Sequence, residues 1–203
     1  MPSGRTPPAA SNRYRRMAHD TAVTFRAASV ADSLAAAQVN LRSAHDSLPA
    51  VYAHADDLSV ERRAAMFRRR FGAAFYRMVV AEAPGPGVVG FVDVGLPRNG
   101  RWGCDAELYA IYVLGPYQRS GVGRRLFELA CEAVRAQGLD SMYLIVLQDN
   151  PSRAFYERLG GRALAHVPAG AVAGQDAHVI YAWSGLCRPT GAPPPTADPA
   201  RPQ

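Results

Sequence analysis

Apolar positions recur along this chain with two periods, and the switches between them mark out its elements. Residues 21–27 (TAVTFRA) alternate as a strand does, and Ser29-Val30-Ala31-Asp32 follows as a helix cap. Leu34, Ala37, Leu41, Ala44 and Leu48 then recur at intervals of three and four, which predicts a helix ending before Pro49. Residues 49–58 have no period and read as a loop carrying Tyr52, His54, Asp56 and Asp57. Residues 61–71 (ERRAAMFRRRF) set Ala65, Met66 and Phe67 among arginines as a second amphipathic helix with a solvated basic face.

Residues 75–83 and 88–96 are rich in β-formers and flank Pro84-Gly85-Pro86-Gly87, which predicts an antiparallel hairpin. Arg98-Asn99-Gly100 breaks the chain before a strand over 104–114. From Leu108 to Leu114 both faces of that strand are apolar, so it is covered on both sides and central to its sheet. After Gly115-Pro116, Val122, Leu126, Leu129 and Ala133 fall at helical spacing in a helix from Ser120 to about Gln137, ended by Gly138. Residues 141–147 (SMYLIVL) form the next strand, parallel to the central one through a right-handed crossover. Asn150-Pro151-Ser152 opens a short helix, RAFYERL, that Gly160-Gly161 closes, and strands over 162–167 and 178–183 complete the chain. The expected fold is α/β (α+β): a central mixed sheet of about seven strands flanked by helices, in the order β-α-α-β-β-β-α-β-α-β-β.

Composition narrows the class. The 203 residues suit one domain, expected over 21–184, and 48% hydrophobic content is ordinary for a globular protein. Residues 1–20 lack the apolar core of a signal peptide and read as a disordered leader; residues 185–203 are too rich in proline to pack. No apolar run reaches membrane-spanning length. Three cysteines, Cys104, Cys131 and Cys187, form no C-x-x-C pair, which points to the reducing cytoplasm and offers no zinc site. Net charge is +6 and every basic residue is arginine, but the arginines are dispersed, which weighs against a nucleic-acid partner.

The candidate chemistry sits where the central strand gives way to the helix. Gln118-Arg119-Ser120-Gly121-Val122-Gly123 aims free backbone N–H groups and a helix dipole at one point, a setting that suits a phosphate. Gly121 and Gly123 would let a bulky pyrophosphate approach the backbone. No Gly-Lys-Ser/Thr follows and the third glycine of G-x-G-x-x-G is absent, which excludes a P-loop and a dinucleotide fingerprint.

This hexamer resembles the Gln/Arg-x-x-Gly-x-Gly/Ala loop of the Gcn5-related N-acetyltransferases (GNAT). NPSRAFYERLGG resembles the same family's second signature, with Asn150, Ala154, Phe155, Tyr156, Leu159 and Gly160 in place. The resemblance covers residues 21–184. It implies acetyl transfer from acetyl-CoA to a primary amine by direct attack in a ternary complex, with acetyl-CoA as co-substrate and no metal. It implies that the amides from Gln118 through Arg119, Ser120, Gly121 and Val122 to Gly123 hold the pyrophosphate, with Arg119 and Arg124 adding charge. By the same resemblance Ile111 and Val113, with Tyr112 between them, would face the pantetheine in a gap where the family's central strand bulges and parts from the next, and Asn150, Ser152 and Phe155 would complete the cofactor set. Tyr156 is the expected acid toward the CoA sulfur, and Glu107, placed as in the histone-acetyltransferase branch, the expected base.

Other readings stay open for each residue: Tyr156 as core packing, Glu107 as a solvated strand-end or substrate-binding carboxylate, Asn150 as a helix cap. The chain departs from the family pattern in having Ile145 where ribosomal-protein N-terminal acetyltransferases carry a glutamate, and Gly161 where a phenylalanine is frequent. The acceptor is a small-molecule or peptide amine. Asp56, Asp57, Asp93, Asp105 and Glu107 would suit a cationic one, such as a polyamine, an aminoglycoside or a lysine side chain. No membrane partner is expected, and a homodimer is compatible with the pattern. The rival from another class is a catalytically silent acyl-CoA-binding module on the same fold.

Overall fold

The strands marked out by the alternating pattern join one seven-stranded sheet in the order β1-β2-β3-β4-β5-β7-β6. They are β1 (Thr24–Ala27), β2 (Tyr76–Ala83), β3 (Gly87–Gly95), β4 (Ala106–Val113), β5 (Ser141–Leu147), β6 (Arg162–Val167) and β7 (His178–Ser184). The computed structural model describes residues 23–47, 59–171 and 176–186. The leader, the proline-rich tail beyond Leu186, the loop with Asp56 and Asp57, and Leu48 lie outside them. Neighbouring strands are antiparallel except β4 and β5, which run parallel as a β-α-β crossover requires.

Helices cover both faces. On one side lie α1 (Ser33–Ser47) and α2 (Val60–Arg70), packed on Tyr76, Met78, Val80 and Phe91; on the other lies α3 (Val122–Arg135), packed on Val92, Leu108, Met142 and Leu144. The short α4 (Arg153–Arg158) follows β5. Three details differ from the sequence pattern. Leu34 is exposed, and α1 buries Ala36 and Val39 beside the expected Ala37 and Ala44, compact residues that let the helix lie close to its neighbours. The buried stripe of α3 is Val122, Leu126, Phe127, Ala130, Cys131 and Val134, leaving Leu129 and Ala133 at its margin. That helix starts at Val122 rather than Ser120 because Gly121 takes φ 92° and turns the chain into it.

β4, fourth of seven, is central as its two apolar faces require. It carries an extra residue at Tyr109, since Asp93 opposes Ala110 while Val94 opposes Leu108. It pairs with β5 only at Ala106↔Met142 and Glu107↔Tyr143; beyond those two rungs the strands part. The Asp105 carboxylate closes the paired end, accepting from the Asp140 and Ser141 amides at 3.0 Å each and from Ser141 Oγ at 2.7 Å. Those bonds, led by Ser141, hold its pKa below the usual carboxylate range.

Gly161 has a packing reason. A Cβ there would stand 2.7 Å from the Trp183 ring and 2.9 Å from the Tyr156 carbonyl oxygen, and Trp183 is fixed by donating Nε1–H to Leu159 O at 2.9 Å. The indole occupies the volume a side chain at 161 would need. Gly161→Ala should therefore cost ~1–3 kcal/mol by overpacking, read as a Tm several degrees lower; an unchanged Tm would show that the Trp183 ring yields freely.

Candidate functional site

Parting β4 from β5 opens a cleft of about 1270 Å³. Along β4, Leu114 N–H bonds to Val89 O on β3, so by antiparallel alternation the main-chain groups of Val113 and Ile111 face the gap. Gln118 Nε2 donates to Val113 O at 2.9 Å, which ties the loop after β4 to the cleft wall. Ile111, Tyr112, Val113, Gln118, Arg119, Gly121, Gly123, Arg124, Asn150, Ser152, Phe155 and Tyr156 all line the cleft. Ser120, Val122 and Glu107 do not. Val122 is a core residue that offers only its backbone, and Ser120 Oγ donates to Tyr117 O.

At the C-terminal end of β4 the amides of Arg119, Ser120 and Gly121 find no acceptor among the described residues, and the first-turn amides of α3 lack one by helix geometry. Arg119 stands at φ 63°, a conformation that costs a non-glycine residue about 1–2 kcal/mol. A Cβ on Gly121 would meet nothing within 4 Å, so its hydrogen faces open space, whereas Gly123 is backed by the Phe155 ring at 3.4 Å. A concave run of unsatisfied N–H groups flanked by Arg119 and Arg124 suits a pyrophosphate.

Asn150 Oδ1 accepts from Ser152 N–H at 2.8 Å, which shapes the entry to α4 and leaves its amide donors without a partner among the described residues. Tyr156 is buried against Phe155, Tyr181 and Trp183, its hydroxyl makes no hydrogen bond among the described residues, and burial pushes its pKa up to about 12. Ala154 is exposed and outside the cleft lining.

Glu107 is fully buried. Its carboxylate accepts from Arg98 N–H and Arg98 Nε–H at 2.8 Å, from Arg98 Nη2–H, and from Tyr143 O–H at 2.8 Å. A carboxylate has about four lone-pair sites, and here all are filled. Arg98 and Tyr143 were not legible as partners in the sequence: Arg98 reads as part of a turn, and Tyr143 as one apolar position in a strand. Of the other carboxylates thought fit for a cationic acceptor, the two among the described residues are also engaged. Asp93 is fully buried under Arg70 Nη1–H at 2.7 Å and Tyr76 O–H at 3.1 Å, and Asp105 is pinned to the start of β5. Arg70 thereby leaves the solvated face expected of residues 61–71. Ile145 projects into the cleft, so β5 offers no carboxylate there.

A family model described as the acetyltransferase (GNAT) family matches residues 43–161. The chain belongs to the GNAT family. YuaI of Bacillus subtilis (strain 168), an uncharacterized N-acetyltransferase, is 41% identical over 78 residues, 38% of this chain and 45% of that protein, so the match spans less than half of that curated relative. Among solved structures, PaiA N-acetyltransferase of Thermoplasma acidophilum in complex with coenzyme A superposes with TM-score 0.63 at 18% identity, over 80% of this chain and 99% of that one. YncA of Salmonella typhimurium with acetyl-CoA gives 0.62 at 22% identity, over 85% and 98%. The GNAT sheet flanked by helices is thus the fold observed, and no group of three His, Cys, Asp or Glu side chains among the described residues could hold a metal ion. No helix among them is long and apolar enough to cross a membrane.

In this GNAT chain Asp93 sets a pH dependence of stability. Burial pushes its carboxyl up to about 6, against the pull of Arg70 and Tyr76. The folded state thus holds a proton that the unfolded chain, with an ordinary pKa near ~3.9, releases. That stabilisation is complete below the unfolded value and is lost as pH rises through about 6. Asp93→Asn cannot titrate, so its Tm relative to the unmutated protein should be more favourable at pH 7.5 than at pH 4.5; melting curves that shift in parallel across that range would remove Asp93 as the cause.

Proposed function

We propose that this chain is an N-acetyltransferase that moves the acetyl group of acetyl-CoA to a primary amine in a ternary complex. The observation that carries the reading is the open main-chain edge of β4, which leads from a loop of free amides to the unpartnered Tyr156 hydroxyl. A pantetheine arm lying along Ile111 and Val113 would complete that edge as a strand does. The pyrophosphate would rest on the Gln118–Gly123 amides, with Asn150, Ser152 and Phe155 on the opposite wall. Binding in one cleft leaves the thioester open to direct attack, with no covalent enzyme intermediate.

In the transfer, the amine nitrogen attacks the thioester carbonyl, the C–N bond forms, and collapse of the tetrahedral intermediate breaks C–S. The amine loses one proton and the sulfur gains one. Tyr156, with a pKa of about 12, stays protonated at neutral pH. A full proton transfer from it to a thiolate of pKa ~8.5 would be uphill. Its contribution is therefore a hydrogen bond to the developing thiolate, with the amine proton leaving to water in the open cleft. Glu107, its lone pairs filled, enters the reading as the anchor of Arg98 and Tyr143 rather than as the base.

Two experiments test this. Acetyl-CoA should raise the Tm of the unmutated protein. Gly121→Val, which places a branched side chain in the open space of the loop at a backbone angle that disfavours it, should abolish the shift while the protein remains folded; an undiminished shift would move the phosphate elsewhere. In steady-state thiol release, Tyr156→Phe should bind acetyl-CoA nearly as before and lose ~10–10²-fold in turnover, at or below the foot of the ~10²–10⁴-fold general-acid range because the proton is not fully transferred. Equal turnover would take the hydroxyl out of the chemistry, and the absence of thiol release with every amine would favour the silent binding module.

A further inference from the structure

The end of the cleft away from the amide loop has a composition that the expected cationic acceptor does not explain. β4 begins just after the β3–β4 loop and ends at the pyrophosphate loop, so a strand of eight residues, ~26 Å when extended, separates the two loops. At the first end, Arg98, Arg101 and Trp102 of the β3–β4 loop line the cleft, and Ser43 and Asp46 of α1 also belong to its lining. The carboxylates closest to it in the sheet are neutralised: Glu107 by Arg98 and Tyr143, Asp93 by Arg70 and Tyr76.

What remains is a set of donors without acceptors. Ser43 is 2% exposed, and its Oγ makes no hydrogen bond. Trp102 Nε1–H is shielded from solvent and likewise unpartnered. The Arg101 guanidinium lies over the Trp102 ring at 4.9 Å and has no carboxylate partner among the described residues. Arg98 gives Nε and Nη2 to Glu107 and packs over Tyr109 at 5.5 Å, which fixes its plane and leaves Nη1 uncommitted. Guanidinium and indole N–H groups have no acceptor capacity, so the partner they lack is an oxygen with lone pairs, and two arginines favour one that is charged. Among the described residues Asp46 and Asp176 are the carboxylates that line the cleft, and Asp46, exposed beside His45, suits the ammonium end of an arriving ligand.

We propose that the acceptor is an amine that also carries an anionic group, a carboxylate or a phosphate, and that Arg101, with Arg98 and Trp102, reads that group. The proposal rests on the acetyl-transfer reading above and names its acceptor class. Anchoring the anion at the β3–β4 loop would direct the amine inward along β4 toward the thioester. Glu107 then has a role at a distance, because it holds the guanidinium of Arg98 in the orientation that meets the anion. Arg101 is a specificity residue under this view and Glu107 a positioning one.

The test is thiol release at saturating acetyl-CoA with matched acceptors: the L-amino acids against their amides, O-phosphoethanolamine against ethanolamine, and spermidine as a polycation. The anionic member of a pair should show the higher kcat/KM by about tenfold or more, the amount one charge-assisted hydrogen bond supplies. The amino-acid and phosphate arms separate the two sources of the anion. Arg101→Glu should erase that preference through KM while leaving the acetyl-CoA shift in Tm intact, and Arg101→Lys should restore part of it. Preference for spermidine or for the amides would overturn the anionic acceptor and leave acetyl transfer standing. An anion-to-amide ratio unchanged in Arg101→Glu would also overturn it. Absence of turnover with every amine would take down both readings together.

Discussion

A buried strand cannot leave its amides and carbonyls unpaired without a cost in free energy, and β4 does so along most of one edge. Its two rungs with β5 are held by Asp105, whose carboxylate gathers two amides and a hydroxyl of the neighbouring strand. Past that clamp the bulge at Tyr109 turns β4 away, and β5 keeps its order by pairing along its whole length with β7. The wedge is thus held open by complete pairing on its outer sides and minimal pairing on its inner one. The helices serve the same end, since α3 springs from the loop at the mouth of the wedge and α4 brings Tyr156 to its wall.

The arginines divide by partner. Arg26 bridges Asp32 and Glu82, Arg70 covers Asp93, Arg98 covers Glu107, and Arg125 reaches Glu128 and Glu132. The surface pairs among these contribute little, because water screens them. The two that end on a fully buried carboxylate matter more, since removing either cation would leave a charge without compensation. Arg101, Arg119 and Arg124 line the cleft with no carboxylate partner among the described residues. The positive net charge of the sequence therefore tells less than its distribution, in which cations stand free at both ends of β4.

Much of the fold was legible because it rests on local periodicity. Residues 141–147 and 162–167 are strands with those bounds, and the two apolar faces of β4 placed it centrally. Leu34 misled because a helix face read from large apolar residues can be displaced by a run of alanines that packs more closely. The loop from Gln118 to Gly123 was legible for the same local reason, as its glycines and the following helix suffice to define it. What the sequence concealed were pairings between residues distant along the chain. Glu107 looks like a free strand-end carboxylate until the parallel register sets Tyr143 beside it and the β3–β4 loop folds Arg98 over it. Gly161 likewise acquires its meaning only when Trp183, two strands on, fills the space above it.

The two ends of β4 differ in what they are made of. The amide loop is built mainly from main-chain groups, which nearly any sequence supplies once glycine stands at the turn. The opposite end is built from side chains on a short connection between two antiparallel strands, and such a connection tolerates exchange without disturbing the sheet. In the reading proposed here, one half of the reaction is written in backbone and the other in a handful of replaceable residues. A lineage could then keep its acyl donor through deep sequence divergence while changing the molecule it modifies by rewriting a segment as short as that from Arg98 to Trp102.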